Sequence, residues 1–288
     1  MKKWFSLILI LAFALVLAAC GTANNENEGA EGNGDANNDA AEEKTTLVVG
    51  ASNVPHAVIL EQAKPILAEK GIELQIEEYT DYIFPNQDLD NGTLDANYFQ
   101  HIPYLEAQIA EHGYEFVNAG GIHIEPIGVY SKKYDSLQDL PEGAVIIMSN
   151  SIPDHGRILT MLEQEGLIKL DENVDKTKAE IKDIVENPKN LQFEYDYEAA
   201  LLPQLYEEGE GDAVLINSNY AIDNGLNPLE DAIALEDKDS PYVNVIAVRK
   251  GDENSEAIQT LVEVLRSEEI QNFILEEYSG AVVPVSGE

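Results

Sequence analysis

Residues 47–79 read LVVGASNVPHAVILEQAKPILAEKGIELQIEEY. The opening LVVGA is a short apolar run of the kind carried by a strand buried on both faces. From Pro55 to Lys70, Ile59, Ala63, Ile66 and Leu67 recur at helical spacing and Gly71 supplies a stop, with Pro65 expected to kink the helix. Ile72, Leu74 and Ile76 then alternate with polar residues as a strand. Strand, helix and strand in this order make a β-α-β unit, which implies a parallel sheet and an α/β fold.

Working outward, the pattern repeats. Asp95 to Phe99, a helix from Pro103 to His112 and a strand near Phe116 and Val117 read as a second unit. The strand PIGVY at 126–130 leads into a turn-rich segment and a new α/β region: strand Ala144 to Met148, helix His155 to Gln164, helix Glu198 to Glu207, strand Ala213 to Ile216. Val243 to Val248 is the last strong strand, and two amphipathic helices follow. An α/β region inserted between the strands at 126–130 and 243–248 leaves two connections between lobes, hence a cleft with a hinge. One continuous sheet is the alternative topology. The expected divisions are 45–130 with 241–288 as one discontinuous lobe and 131–240 as the other.

Upstream, residues 1–19 read MKKWFSLILILAFALVLAA: two lysines, then an apolar run broken only by Ser6. This has the n- and h-regions of a secretory signal peptide, and a tilted or interfacial anchor is the other reading. Leu17-Ala18-Ala19-Cys20 resembles a bacterial lipobox, which makes Cys20, the only cysteine, the expected lipidation site. With one thiol there is no intramolecular disulfide framework. Residues 20–44 hold no branched or aromatic apolar side chain and read as a flexible tether.

The charge balance is extreme: 54 Asp plus Glu against 17 Lys plus Arg, a formal net of -37. A nucleic-acid partner needs a positive surface and is excluded on this ground. At 44% hydrophobic residues the chain still buries a sizeable core.

Eight segments in order, GASNVPHAVIL (50–60), EEYTDYIFPNQDL (77–89), DANYFQHIPYL (95–105), PIGVYSKKYDSLQDLPEG (126–143), GRIL (156–159), IVENPKNL (184–191), INSNYA (216–221) and SPYVNVIAVR (240–249), resemble the methionine-binding lipoproteins of ABC importers, the NlpA (MetQ) lipoprotein family. The resemblance implies a two-lobed, type II periplasmic-binding-protein-like fold with a ligand cleft and two hinge crossings. It further implies an external lipid anchor and delivery of an amino acid, foremost L-methionine, to an ABC permease and its ATPase. D-methionine, a methionine-containing dipeptide or another amino acid fits the same role.

An amino acid offers a carboxylate, an ammonium and a side chain, so its cleft needs a cation, acceptors and a shaped wall. Of three arginines, Arg249 and Arg266 read as surface residues, whereas Arg157 sits in a helix's first turn just after a strand, where α/β folds place ligands. Its partner is either a ligand carboxylate or a structural acid such as Asp154, and the resemblance of GRIL to the family's arginine-bearing segment favours the ligand. Asn217 and Asn219 follow the strand Ala213 to Ile216, where Asn caps a helix or meets a ligand. Asn217 matches the family's ligand-contacting asparagine. In NYFQH an extended backbone puts Asn97, Phe99 and His101 on one side and Tyr98 and Gln100 on the other. Phe99 and His101 are core or cleft residues on this pattern, and Tyr82 and Tyr104 complete an aromatic wall that the resemblance assigns to the thioether. The sequence departs from the family at 150–154, Asn-Ser-Ile-Pro-Asp, where Asp154 replaces a neutral amide, and at Gln204, where the family has Arg.

No Gly-x-Ser-x-Gly or His-Glu-x-x-His occurs, so an enzyme is not expected, and no cofactor is called for. A metal-capturing surface lipoprotein is a more distant reading: His123 and Glu125 alternate on one strand face, and His56, His101 and His155 are available to converge. An adhesin without a pocket is a third.

Overall fold

The computed structural model describes residues 44–238 and 240–285; Cys20, the leader and nearly all of the tether lie outside the described residues. Among the described residues no helix is long and apolar enough to cross a membrane. Six strands form one sheet in the order β13 (Val283–Pro284), β4 (Phe116–Ile124), β12 (Val243–Arg249), β3 (Ala96–His101), β1 (Thr45–Ser52), β2 (Ile72–Tyr79). Five form another: β11 (Ala234–Leu235), β5 (Gly128–Tyr130), β10 (Ala213–Ile216), β6 (Val145–Ser149), β9 (Gln192–Tyr197). β7 (Lys169–Leu170) and β8 (Ile184–Glu186) pair separately.

The opening β-α-β unit is present as read: β1 runs parallel to β2 with Val49 opposite Ile76, and α1 (Val58–Glu69) continues through the exposed Pro65. The second unit differs. β12 wedges between β3 and β4, antiparallel to both, so those two strands share a direction without touching.

The central strands of both sheets are covered on both faces and lack a polar side, whereas the edge strands β2 and β9 keep exposed polar residues. In β12, Ile246 and Val248 join the cluster under α1, α8 (Glu256–Leu265) and α9 (Glu268–Tyr278). Val245 and Ala247 point the other way, into a cluster with Leu89 of α2 (Phe84–Asp90) and Leu105 of α3 (Ile102–His112). In the five-stranded sheet, Ile146 and Leu215 pack under α4 (Ile152–Gln164), while Ile147 and Ile216 face α5 (Leu202–Glu208) and α6 (Ser218–Asp223). The short α7 (Pro228–Asp231) closes the edge before β11. Each such fully buried aliphatic side chain contributes roughly 1.5–3 kcal/mol.

The chain passes between sheets twice, at 125–127 and at 236–242. The segment 126–130 was expected on the first-lobe side, yet Val129 pairs with Leu215 and with Ala234 in the five-stranded sheet. GVY is equally apolar in either sheet, so its pattern does not specify its partner.

Candidate functional site

A cleft lies at these crossings, lined by side chains from both sheets. Tyr82, Phe99, Gln100, His101, Tyr104 and Asn244 line it from the elements of the first sheet. Asp154, Arg157, Asn217, Ser218 and Asn219 line it from those of the second, and Glu125 from the first crossing.

Arg157 lies on α4 and is buried. Its Nε donates to Glu236 Oε2 at 2.9 Å, and its Nη2 donates to the same oxygen and to the Glu125 carbonyl at 2.6 Å. One guanidinium thus ties together both crossing segments. The Tyr242 ring stacks 4.8 Å from it. Nη1 makes only a long contact, 3.4 Å, to Asp154 Oδ1. The structural acid is therefore chiefly Glu236, with Asp154 as the weaker partner.

Asp154 sits in the first turn of α4, where the helix dipole favours an anion. His101 Nδ1 accepts the Tyr104 N–H at the start of α3, so Nε2 carries the proton and donates to Asp154 Oδ1 at 3.0 Å. Asn217 Nδ2 donates to Oδ2 at 3.3 Å. Burial pushes the Asp154 carboxyl up, but the hydrogen bond and charge from the His101 side, Arg157 and Asn217 outweigh it and hold it below the usual carboxylate range. Asn217 occupies the N-cap position of α6 without capping it, and its buried Oδ1 has no hydrogen-bond partner among the described residues. A buried carbonyl oxygen left in this state costs about 1–3 kcal/mol, which a ligand donor recovers.

Opposite this polar half stands the aromatic one. Tyr82 lies 5.9 Å from Phe99, 6.0 Å from Tyr104 and 4.9 Å from Tyr220, ring centre to ring centre. The Tyr82 hydroxyl donates to Asn219 Oδ1 at 2.6 Å, and Tyr104 donates to the Tyr82 carbonyl at 3.0 Å. Burial, with the neighbouring Tyr220 and acidic side chains behind it, raises the Tyr82 phenol well above 10.0.

Six of the seven sequence candidates meet here: Tyr82, Phe99, His101, Tyr104, Arg157 and Asn217. Asn97 does not line the cleft; its amide donates to Asn86 Oδ1 at 2.9 Å and to the Pro85 carbonyl at 3.2 Å. The expected alternation fails because His101, Gln100, Tyr98 and Asn97 pair with Asn244, Val245, Ile246 and Ala247, leaving Phe99 as the extra residue of a bulge. Gln100 is thereby turned to the side of Asn97, bonding it at 2.8 Å, and both enter the cleft's supporting amide cluster with Asn86. Sequence reasoning missed Glu125, Asn244 and Glu236 as neighbours of the site; only the His123-x-Glu125 alternation hinted at any of them. Arg249 and Arg266, read as surface residues, hold the carbonyls of Leu89 and Gly121 at 2.8 Å.

The order of these segments along the chain matches a known pattern: the profile of the NlpA lipoprotein family covers residues 47–286. The chain belongs to the NlpA lipoprotein family. Among curated relatives, the methionine-binding lipoprotein MetQ of Bacillus subtilis (strain 168) is 50% identical over 288 residues, 99% of this chain and 100% of the relative. A solved structure of a pheromone cOB1 precursor/lipoprotein of the YaeC family from Enterococcus faecalis V583 superposes with a TM-score of 0.82 at 54% identity, over 84% of this chain and 100% of that one. A nutrient-binding protein from Burkholderia cenocepacia, solved bound to methionine, gives 0.78 at 40% identity, over 83% and 99%. The chain shares the two-lobed α/β fold of these structures, and two of the three relatives named above carry binding in their description.

Proposed function

We propose that this chain is an extracytoplasmic, lipid-anchored solute-binding protein that captures an amino acid, L-methionine foremost, and hands it to an ABC import permease driven by its ATPase. The observation that carries the reading is the division of one cleft into an aromatic half, Tyr82, Phe99 and Tyr104, and a zwitterion-matched half, Arg157, Asp154 and Asn217. Arg157 Nη1, free of any short contact among the described residues, receives the ligand carboxylate. Asn217 Oδ1 and Asp154 accept the ammonium. The aromatic rings enclose the thioether, each sulfur contact contributing roughly 0.3–1.5 kcal/mol.

The lobes divide at the crossings, 45–124 with 243–285 against 128–235, and closure about 125–127 and 236–242 brings the halves together. Residues 1–19 direct export, Cys20 takes the lipid, and 20–44 form the tether. No step involves covalent chemistry. The relatives' names support the cargo: the MetQ of Bacillus subtilis and the nutrient-binding protein of Burkholderia cenocepacia both carry methionine in their description.

Calorimetric titration of refolded, ligand-free protein with L-methionine, D-methionine, a methionine dipeptide and the other common amino acids tests this. L-methionine is expected to bind tightest, and Arg157→Ala to weaken it by about 2–5 kcal/mol, the cost of a desolvated carboxylate left without its cation. Tight binding of a different amino acid with methionine silent refutes the cargo, and unchanged affinity in Arg157→Ala refutes the role given to that residue.

A further inference from the structure

Amino-acid capture as described leaves one buried cluster unused. His56, in the turn Asn53–Ala57 ahead of α1, His123 near the end of β4, and Glu125 in the first crossing are 1%, 0% and 7% exposed. Nε2 of His123 lies 2.7 Å and Nε2 of His56 lies 3.1 Å from the same Glu125 oxygen, and the three donor atoms all lie within 4.8 Å of one another. Asn244 Oδ1 stands 3.1 Å from Nε2 of His56. The remaining candidates from the sequence are engaged elsewhere: His101 with Asp154, and His155 with the Ser149 carbonyl at 2.9 Å.

Among the described residues no lysine or arginine side chain makes an ion pair with the Glu125 carboxylate; Arg157 donates to the Glu125 carbonyl.

We infer that His56 Nε2, His123 Nε2 and Glu125 Oε1, with Asn244 Oδ1 as a fourth donor, form a site for a divalent transition cation, zinc being the best match. Two imidazoles and a carboxylate, with no thiolate, are a donor set that zinc accepts in tetrahedral geometry. Bonds of about 2.0–2.1 Å put tetrahedral donors about 3.4 Å apart. The two short separations therefore open by less than an ångström as the ion enters, and the widest draws in. With the ion on Nε2, His123 Nδ1 carries the proton and donates to the Tyr98 hydroxyl oxygen that already touches it, the outer partner that orients a metal-bound ring. His56 Nδ1 has no such partner among the described residues, which sets the expected affinity about 10–100-fold below that of a fully supported site.

The test is a zinc titration of chelator-stripped protein by calorimetry and native mass spectrometry, with His56→Gln and His123→Gln beside the wild type. Neither histidine lines the amino-acid cleft, so methionine titration of the same variants separately reports whether the capture site is intact. Expected is one zinc per wild-type chain at micromolar or lower concentration, lost in both variants. Wild-type protein that takes up no stoichiometric zinc overturns the site, as does zinc retained unchanged in both variants, which places the ion on the surface carboxylates. Should the variants not fold, cobalt added to the wild type decides: intense visible bands of a four-coordinate ion support the site, and the weak spectrum of hydrated cobalt overturns it.

Discussion

At the scale of single residues, Arg157 does two jobs with one fork: Nε and Nη2 hold Glu236 and the Glu125 carbonyl, leaving Nη1 for the cleft. Removing it strands a buried acid, so Arg157→Ala is expected to lose about 3–5 kcal/mol of stability in urea unfolding, beyond its effect on ligand. Adding Glu236→Gln to that variant removes the stranded charge and is expected to restore part of the loss; additive losses in the double mutant contradict the pairing. Asp154 makes a second prediction. Its folded-state pKa lies below its ordinary 3.8, so its contribution is present above about pH 3.8 and is lost as the pH falls through the folded value. Asp154→Asn is expected to flatten the stability profile below about pH 4, read from urea midpoints stepped downward in pH. Arg157 was legible because few arginines compete and its place after a strand is informative. Glu236 was not, because a loop residue 79 positions away carries no periodicity that announces its partner.

Among elements, α4 shows how tightly the site's scaffold is packed. Gly156 precedes Arg157, and a Cβ built there falls 2.4 Å from the Lys176 carbonyl oxygen and 2.8 Å from Thr177 backbone atoms. In an open helix Gly→Ala gains roughly 0.8–1 kcal/mol. Here backbone faces backbone, overpacking costs about 1–3 kcal/mol, and Gly156→Ala is expected to destabilise on balance. Urea unfolding reads the sign, and a higher midpoint than wild type contradicts the contact. Because the shift displaces the helix that carries Arg157, ligand affinity is expected to fall with stability. Element positions were largely written in the chain: the strands at 213–216 and 243–249 and the paired C-terminal helices follow apolar periodicity directly. Registers were not. The bulge at Phe99 depends on what β12 presents from a distant part of the chain, so period two alone misassigned Gln100 and Asn97.

For the molecule as a whole, the cleft exists because the chain crosses between two sheets twice, and Arg157, Glu236 and Glu125 knot those crossings together. Pattern alone left one continuous sheet open; the order of family-like segments favoured two lobes, and the strand pairings separate the sheets. The same enclosure sets the alkaline limit of the fold. Tyr82 and Tyr98 are raised well above 10.0, and Tyr104, Tyr130, Tyr220 and Tyr242 are raised too, first by burial and then mainly by nearby acidic side chains such as Glu125 and Asp154. In the unfolded chain these phenols ionise near 10.0, so above that pH the unfolded state binds fewer protons than the folded one and stability falls as pH rises. Each contributes up to about 1.4 kcal/mol per pH unit, and several act together. The fold is therefore expected to hold steady up to about pH 10 and then to unfold cooperatively, tyrosinate absorbance rising together with the loss of circular dichroism. Phenols that titrate one by one near pH 10 in a protein of unchanged dichroism contradict this. Every phenolate formed adds to a formal net charge of -37, so salt is expected to move the transition upward by screening that repulsion. A transition that ignores salt assigns it to the burial of the phenols alone.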